Sequence, residues 1–152
     1  MNDGRDSLRA WLALLSAANR IKKSVDARMR QQFGLSLSRF DVLAALDRAG
    51  EPGLTVGALS SYLKVTDGNT TQVTAPLIAA GLVRRTVSAN DRRMAILQLT
   101  RKGQRIFAEM AAANREWIAD VFAVLTPAQI ASLRRTLRQL NHPQEQSAEE
   151  AA

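Results

Sequence analysis

The sequence predicts a mainly helical chain with one small β-hairpin wing and long helices at both ends. Three observations predict it. Apolar residues recur at three- and four-residue steps along most of the chain, the spacing of one helix face. Two-residue alternation occurs in one place only, around residues 82–99. Aromatic residues make up only 5% of the 152 residues while Ala and Leu abound, a balance that favours helix over sheet. With 46% apolar residues the chain can bury a core of Leu, Ala and Val.

The first stripe is Leu8, Trp11, Leu12 and Leu15, extended by Val25 and Met29. It predicts one long helix from about Asp6 to Gln32, ended by Gly34. The run Ala10-Trp11-Leu12-Ala13-Leu14-Leu15 resembles a short secretory leader, but two acids precede it and the helical pattern continues past it. Ser38 with Asp41 resembles a capping box, Asp standing where Glu is usual. The helix it opens carries Phe40, Val42, Leu43 and Leu46 and stops at Gly50. Glu51-Pro52-Gly53 is a turn. Thr55 can cap a short helix carrying Val56, Leu59 and Leu63. Val65-Thr66-Asp67-Gly68 is a tight turn with Thr66 as a cap candidate. The next helix turns Thr70, Val73, Thr74 and Leu77 inward and ends at Gly81. Pro76 lies inside it. Proline removes the amide that would bond the Gln72 carbonyl, typically at a cost of ~3 kcal/mol or more, and predicts a kink or a shortened helix.

Leu82 to Val87 reads as a strand, Ser88-Ala89-Asn90-Asp91 as a turn, and Met94 to Leu99 as a second strand with Ala95, Leu97 and Leu99 on one face. Thr100 caps the helix that follows, whose stripe is Ile106, Met110, Ala113, Trp117, Val121 and Val124. Thr126-Pro127-Ala128-Gln129 starts the last helix, with a cap, Pro at the first position and Gln at the third. Ile130, Leu133, Leu137 and Leu140 then form a seam like that of a coiled coil. Two short helices joined by a tight turn and followed directly by a hairpin make a winged helix-turn-helix. The pattern alone also fits an ordinary helical hairpin in a core, beside a β-hairpin whose basic edge is merely solvated. The organisation reads as a first helix (1–34), the winged segment (35–100), two closing helices (101–142) and a slightly acidic tail (143–152).

Several of these stretches resemble the MarR (multiple-antibiotic-resistance regulator) family of bacterial transcription factors. Gly34-Leu35-Ser36-Leu37-Ser38-Arg39-Phe40-Asp41-Val42-Leu43 resembles the start of its second helix. Gly68-Asn69-Thr70-Thr71, then Leu77 and Gly81-Leu82-Val83, resembles its recognition helix and the entry to its wing. Asp91-Arg92-Arg93, then Leu99-Thr100-Arg101-Lys102-Gly103, resembles its wing tip and fifth helix. Leu125-Thr126-Pro127 opens a last helix of the expected kind. No single piece is specific; the ordered set, from about Leu8 to Leu140, is. The resemblance implies a cytoplasmic homodimer, nucleoid-associated when bound, whose winged domains read two half-sites of a pseudo-palindromic double-stranded DNA operator. It also implies repression released by a small aromatic, often phenolic, effector.

On that reading the recognition helix lies in the major groove. Its inward face leaves Asn69, Thr71 and Gln72 toward the bases. Asn and Gln can pair with adenine, and Thr can bond a base or touch the thymine methyl. Thr66 joins them at the helix start. The helix departs from the family pattern in having no Arg or Lys between Thr66 and Gly81, which disfavours guanine contacts from this element. Arg93 matches the wing arginine that enters the minor groove, and Asp91 the acid that orients it; an Asp at a turn can equally serve the turn alone. Arg92, Arg84 and Arg85 read as phosphate contacts or solvated charges. Lys22, Lys23, Arg28 and Arg30 are mostly the wet face of the first helix. Leu8, Trp11, Leu12, Leu15, Trp117, Val121, Phe122, Leu133 and Leu137 offer more apolar surface than a small domain needs, which suits a dimer interface or packing within one chain.

The bulk numbers are consistent with this. The net charge is +7 and the pI about 11, positive in every third of the chain, which permits nucleic acid or an anionic membrane surface as partner. No apolar run reaches the ~18 residues of a membrane span. Cysteine is absent, which removes disulfides, thiol redox sensing and Cys-ligated zinc. The one histidine, His142, lies beside Pro143 in the tail, so no catalytic triad or metal site is expected, and no cofactor. Two other readings stay open: a winged-helix module for protein contacts, and a DNA binder that senses no ligand.

Overall fold

The computed structural model describes residues 4–141 apart from 66, 88, 92 and 93. The elements are α1 (Gly4–Phe33), α2 (Leu37–Ala49), β1 (Leu54–Thr55), α3 (Val56–Leu63), α4 (Asp67–Ala79), β2 (Val83–Val87), β3 (Ala95–Leu99), α5 (Arg101–Phe122) and α6 (Pro127–Asn141). The chain divides into two compact units, Met1–Asn114 and Arg115–Ala152.

In the first unit the three strands form an antiparallel sheet in the order β1-β3-β2. Val83, Arg84, Arg85, Thr86 and Val87 pair with Leu99, Gln98, Leu97, Ile96 and Ala95. Ala95, Leu97 and Leu99 are buried, as the alternation predicted. β1 was not foreseen. Two residues are too few to show a period, and Leu54–Thr55 becomes a strand only by pairing with Leu97 and Ile96. Gly53 permits that approach: its φ is +67°, and an added Cβ would collide with the Leu97 carbonyl and the Gln98 and Ile96 side chains.

The core collects Met29 of α1, Val42, Leu43 and Leu46 of α2, Leu59 of α3, Leu77 of α4, Leu82, Val83, Leu97 and Met110. Phe40 stacks on Phe107 at 5.6 Å between ring centres, joining α2 to α5. Helix starts follow local chemistry. Thr55 accepts from the Ala58 amide (3.1 Å) and Thr100 from the Gly103 amide (3.0 Å), both as predicted. The cap of α2 differs. It is Ser36, which accepts from the Arg39 amide at 3.3 Å, and not Ser38, which lies inside the helix. The reason is α1. The Asp26 carboxylate accepts from the Leu37 amide (2.8 Å) and so fixes α2 to begin at Leu37.

α4 runs unbroken through Pro76 to Ala79, so the shortening expected there does not occur. The Ala80 amide still reaches the Pro76 carbonyl (3.0 Å). The Leu82 amide reaches Leu77 (2.9 Å) and the Gly81 amide reaches Ile78 (3.0 Å), which closes the helix as a Schellman motif. The exposed Gln72 carbonyl end can take water in place of the missing proline amide. Thr100, Lys102 and Gly103 knot the start of α5 to this end of α4. Thr100 Oγ1 donates to the Gly81 carbonyl (2.6 Å) and Lys102 Nζ to the Ala80 carbonyl (3.1 Å). Gly103 packs so close to the Leu82 carbonyl that a Cβ would overlap it.

The second unit holds the end of α5 and all of α6. The predicted start of α6 is a complete capping box. The Gln129 amide donates to Thr126 Oγ1 (3.3 Å) and the Thr126 amide to Gln129 Oε1 (2.8 Å). Val124 was placed on the α5 stripe but falls beyond the helix end at Phe122 and is 86% exposed.

Asp26 joins α1 to α2 and also accepts from Arg30 Nε (2.8 Å). The Leu37 amide first, then the Arg30 guanidinium, hold its carboxyl below the ordinary value of 3.8. A carboxyl lowered on folding stabilises the fold above its unfolded value, and that contribution is lost as pH falls through the folded value. Asp26→Asn is therefore expected to melt below wild type at pH 7. The gap between them should narrow as the pH drops below ~4, read as Tm across a pH series. A gap constant from pH 7 to pH 3 would contradict this role.

Candidate nucleic-acid interface

α3 and α4 are joined by a tight turn. Lys64 takes the left-handed conformation (φ 56°, ψ 44°), and the Val65 amide returns to the Ser60 carbonyl (3.0 Å). Thr66, named as a cap, lies outside the described residues. The two helices are locked by polar as well as apolar contact. Ser60 and Thr70 are buried and share a hydrogen bond of 2.8 Å. Ser60 Oγ also donates to the Val56 carbonyl (2.7 Å), and Thr74 Oγ1 to the Thr70 carbonyl (2.9 Å). Thr70, Thr74 and Leu77 form the inner face of α4, with Val73 half-buried beside them, as the sequence predicted.

The outer face carries Asn69, Thr71 and Gln72, all exposed, and also the exposed Ala75, which sequence reasoning did not single out. The three polar residues do not share one side. Asn69 and Gln72, three apart, line a groove with Lys22 of α1, Ser38 and Asp41 of α2, and the apolar Leu63, Val65 and Val73. The groove encloses about 360 Å³. Partial burial there pushes the Asp41 carboxyl above its ordinary value, with the positive Lys22 opposing. Thr71 lies on the other side of α4. It lines a cleft of about 440 Å³ with Thr55, Val56 and Gly57 at the start of α3 and with Arg85, Met94 and Ala95 of the hairpin.

The hairpin arginines separate as well. Arg84 stands opposite Gln98, and its Nε donates to Gln98 Oε1 (2.9 Å); Gln98 in turn bonds the Glu51 carbonyl. Arg85, on the other face of β2, stands opposite Leu97. Arg92 and Arg93 lie outside the described residues. Asp91 is exposed, and its carbonyl accepts from the Met94 amide (3.0 Å), a turn bond. Among the described residues no group of His, Cys, Asp and Glu could hold a metal, and no helix is long and apolar enough to cross a membrane.

Leu8, Trp11, Leu12 and Leu15 are exposed along the first half of α1, with Leu14 beside them, and Trp11 is 58% exposed. Of the other residues named for a dimer, Leu133 is exposed, while Trp117, Val121, Phe122 and Leu137 are half-buried.

A helix pair locked across a tight turn, backed by a three-stranded sheet with a basic hairpin, defines a winged helix-turn-helix protein. Residues 33–94, from the end of α1 into the hairpin, match the MarR_2 model of the MarR family. The HTH-type transcriptional regulator PetP of Rhodobacter capsulatus is 36% identical over 93 residues, which are 61% of this chain and 56% of PetP. The chain thus spans little more than half the length of that relative. YsmB of Bacillus subtilis, described as an uncharacterized HTH-type transcriptional regulator, is 27% identical over 122 residues, covering 80% of this chain and 82% of YsmB. Among solved structures, Sco3205 of Streptomyces coelicolor, a MarR family transcriptional regulator in complex with DNA, superposes with a TM-score of 0.79. It is 24% identical and covers 91% of this chain and 90% of its own, which establishes the fold.

The Ser60–Thr70 bond sets the seating of α4. Thr70→Val keeps the shape and removes the hydroxyl, and is expected to cost about 1 kcal/mol, read from chemical denaturation. An unchanged midpoint would show that the bond adds nothing net.

Proposed function

We propose that the protein is a sequence-specific regulator of transcription that binds duplex DNA as a homodimer and acts as a repressor, with no catalytic step of its own. The observation that carries this reading is the outer face of α4. A helix held firmly by its inner side presents Asn69, Thr71 and Gln72 outward, directly ahead of a hairpin rich in arginine. Such a helix suits the major groove, where amide side chains such as those of Asn69 and Gln72 read adenine. The net charge of +7 supplies the attraction that brings a polyanion to it. The relatives named above are transcriptional regulators, and Sco3205 was solved on DNA, which supports the same reading.

The exposed apolar side chains of α1 support the dimer. Leu8, Trp11, Leu12, Leu14 and Leu15 are a contiguous patch of the kind that marks an interface. Leu133 and Leu137 of α6, with Trp117, Val121 and Phe122 of α5, join them in pairing with a second copy. Release by a small aromatic ligand is supported by the groove beside α4. A ligand against Leu63, Val65 and Val73 would touch the two side chains, Asn69 and Gln72, that read bases.

Fluorescence anisotropy with the upstream region of the protein's own gene, against a scrambled duplex at two salt concentrations, tests this. Selective, salt-sensitive binding is expected. Gln72→Ala should relax the preference between the duplexes. Arg93→Ala should weaken both and lower the salt slope by about one. Absence of binding to either duplex at low salt would overturn the reading in favour of a protein-contact module. Trp11→Glu is expected to shift a dimer toward monomer in sedimentation analysis, and a monomeric wild type would remove the dimer.

A further inference from the structure

The cleft between α4 and the hairpin contains a cation, Arg85, that forms no ion pair among the described residues. Strand alternation places Val83, Arg85 and Val87 on one face of β2, opposite Leu99, Leu97 and Ala95. Val83 of that face is buried in the core while Arg85 and Val87 are exposed, and Arg85 is its one charged member. Arg85 is exposed and makes no hydrogen bond or ion pair among the described residues. Its neighbour Arg84, on the opposite face, is bonded to Gln98. The walls around Arg85 are Thr55, Val56, Gly57, Thr71, Met94 and Ala95, so among the described residues no carboxylate lines the cleft.

We propose that this cleft seats one phosphate of the DNA backbone, gripped by the Arg85 guanidinium with the Thr71 hydroxyl beside it, and that Arg84 takes no part. The proposal rests on the DNA-binding reading above and adds to it a particular contact. With α4 in the major groove and the hairpin reaching toward the adjacent minor groove, the sugar-phosphate strand between the grooves must pass between α4 and the hairpin. The cleft lies there, open and cationic, with no acid among its described lining residues. Arg suits the task because its planar guanidinium meets a phosphate with two parallel hydrogen bonds. Gly57 leaves one wall bare: a Cβ at that position would meet nothing within 4 Å.

The bare wall gives a clean test. Gly57→Glu fits without a clash and adds an acid to the first turn of α3, where the helix dipole favours it, so the fold is kept. The carboxylate would then occupy the seat in competition with phosphate. Arg85→Ala, Arg85→Lys, Gly57→Glu and Arg84→Ala are compared with wild type by anisotropy on the operator and a scrambled duplex across a salt series, with thermal melts as folding controls. Arg85→Ala and Gly57→Glu are expected to weaken both duplexes alike, and Arg85→Ala to lower the salt slope by about one. Arg85→Lys should keep the slope, and Arg84→Ala should match wild type. Wild-type binding with an unchanged slope in Arg85→Ala, or equal losses from Arg84→Ala, would overturn the seat and leave the DNA-binding reading standing. Wild type binding neither duplex at low salt would overturn both.

Discussion

The buried hydrogen bond between Ser60 and Thr70 governs the placing of everything outward of it. A helix that offers one face to a ligand has only the other with which to hold on. In α4 that inner face is short, and two of its three buried residues are threonines. Burying a hydroxyl without a partner would offset much of what the helix gains from burying Leu77. Ser60 supplies the partner for Thr70, and the Thr70 carbonyl supplies one for Thr74. The same bonds that make this face affordable also fix the rotation of α4, and with it which side chains face away.

A second constraint joins this body to the long first helix. The lower half of α1 enters the core through Val25 and Met29, while residues 4–20 bury nothing. Asp26 sits at the change of character and bonds the first amide of α2. One helix therefore does two jobs along its length, closing the winged body at one end and leaving an apolar stripe free at the other. The groove lined by Lys22, Asp41, Asn69 and Gln72 lies along the body end, so a ligand there would touch α1 and α4 together.

Much of this was legible in the sequence, for physical reasons. Caps are local, so Thr55, Thr100 and the Thr126/Gln129 box could be read from residues three apart. Two-residue alternation reports a half-buried strand, so Ala95, Leu97 and Leu99 declared their face. What escaped depends on partners distant in the chain. Ser36 replaces Ser38 as a cap because Asp26, eleven residues before Leu37, fixes where α2 starts. β1 exists only because β3 pairs with it. Arg84 and Arg85 are alike as letters, and only the register of the hairpin sends one to Gln98 and the other into the cleft with Thr71. Asn69, Thr71 and Gln72 were read as one outward set, but 100° per residue splits them between two sides of the helix.

The knot at Ala80–Thr100 has a mechanical meaning. Thr100 and Lys102 hold three things by backbone atoms: the last turn of α4, the root of β2 and the first turn of α5. Gly103 allows these to touch with no side chain between them to act as a cushion. Soft side-chain packing can absorb a small displacement by changing rotamers, but backbone seated on backbone cannot. The end of α4, the root of β2 and the start of α5 therefore meet at a joint with little room to give between them.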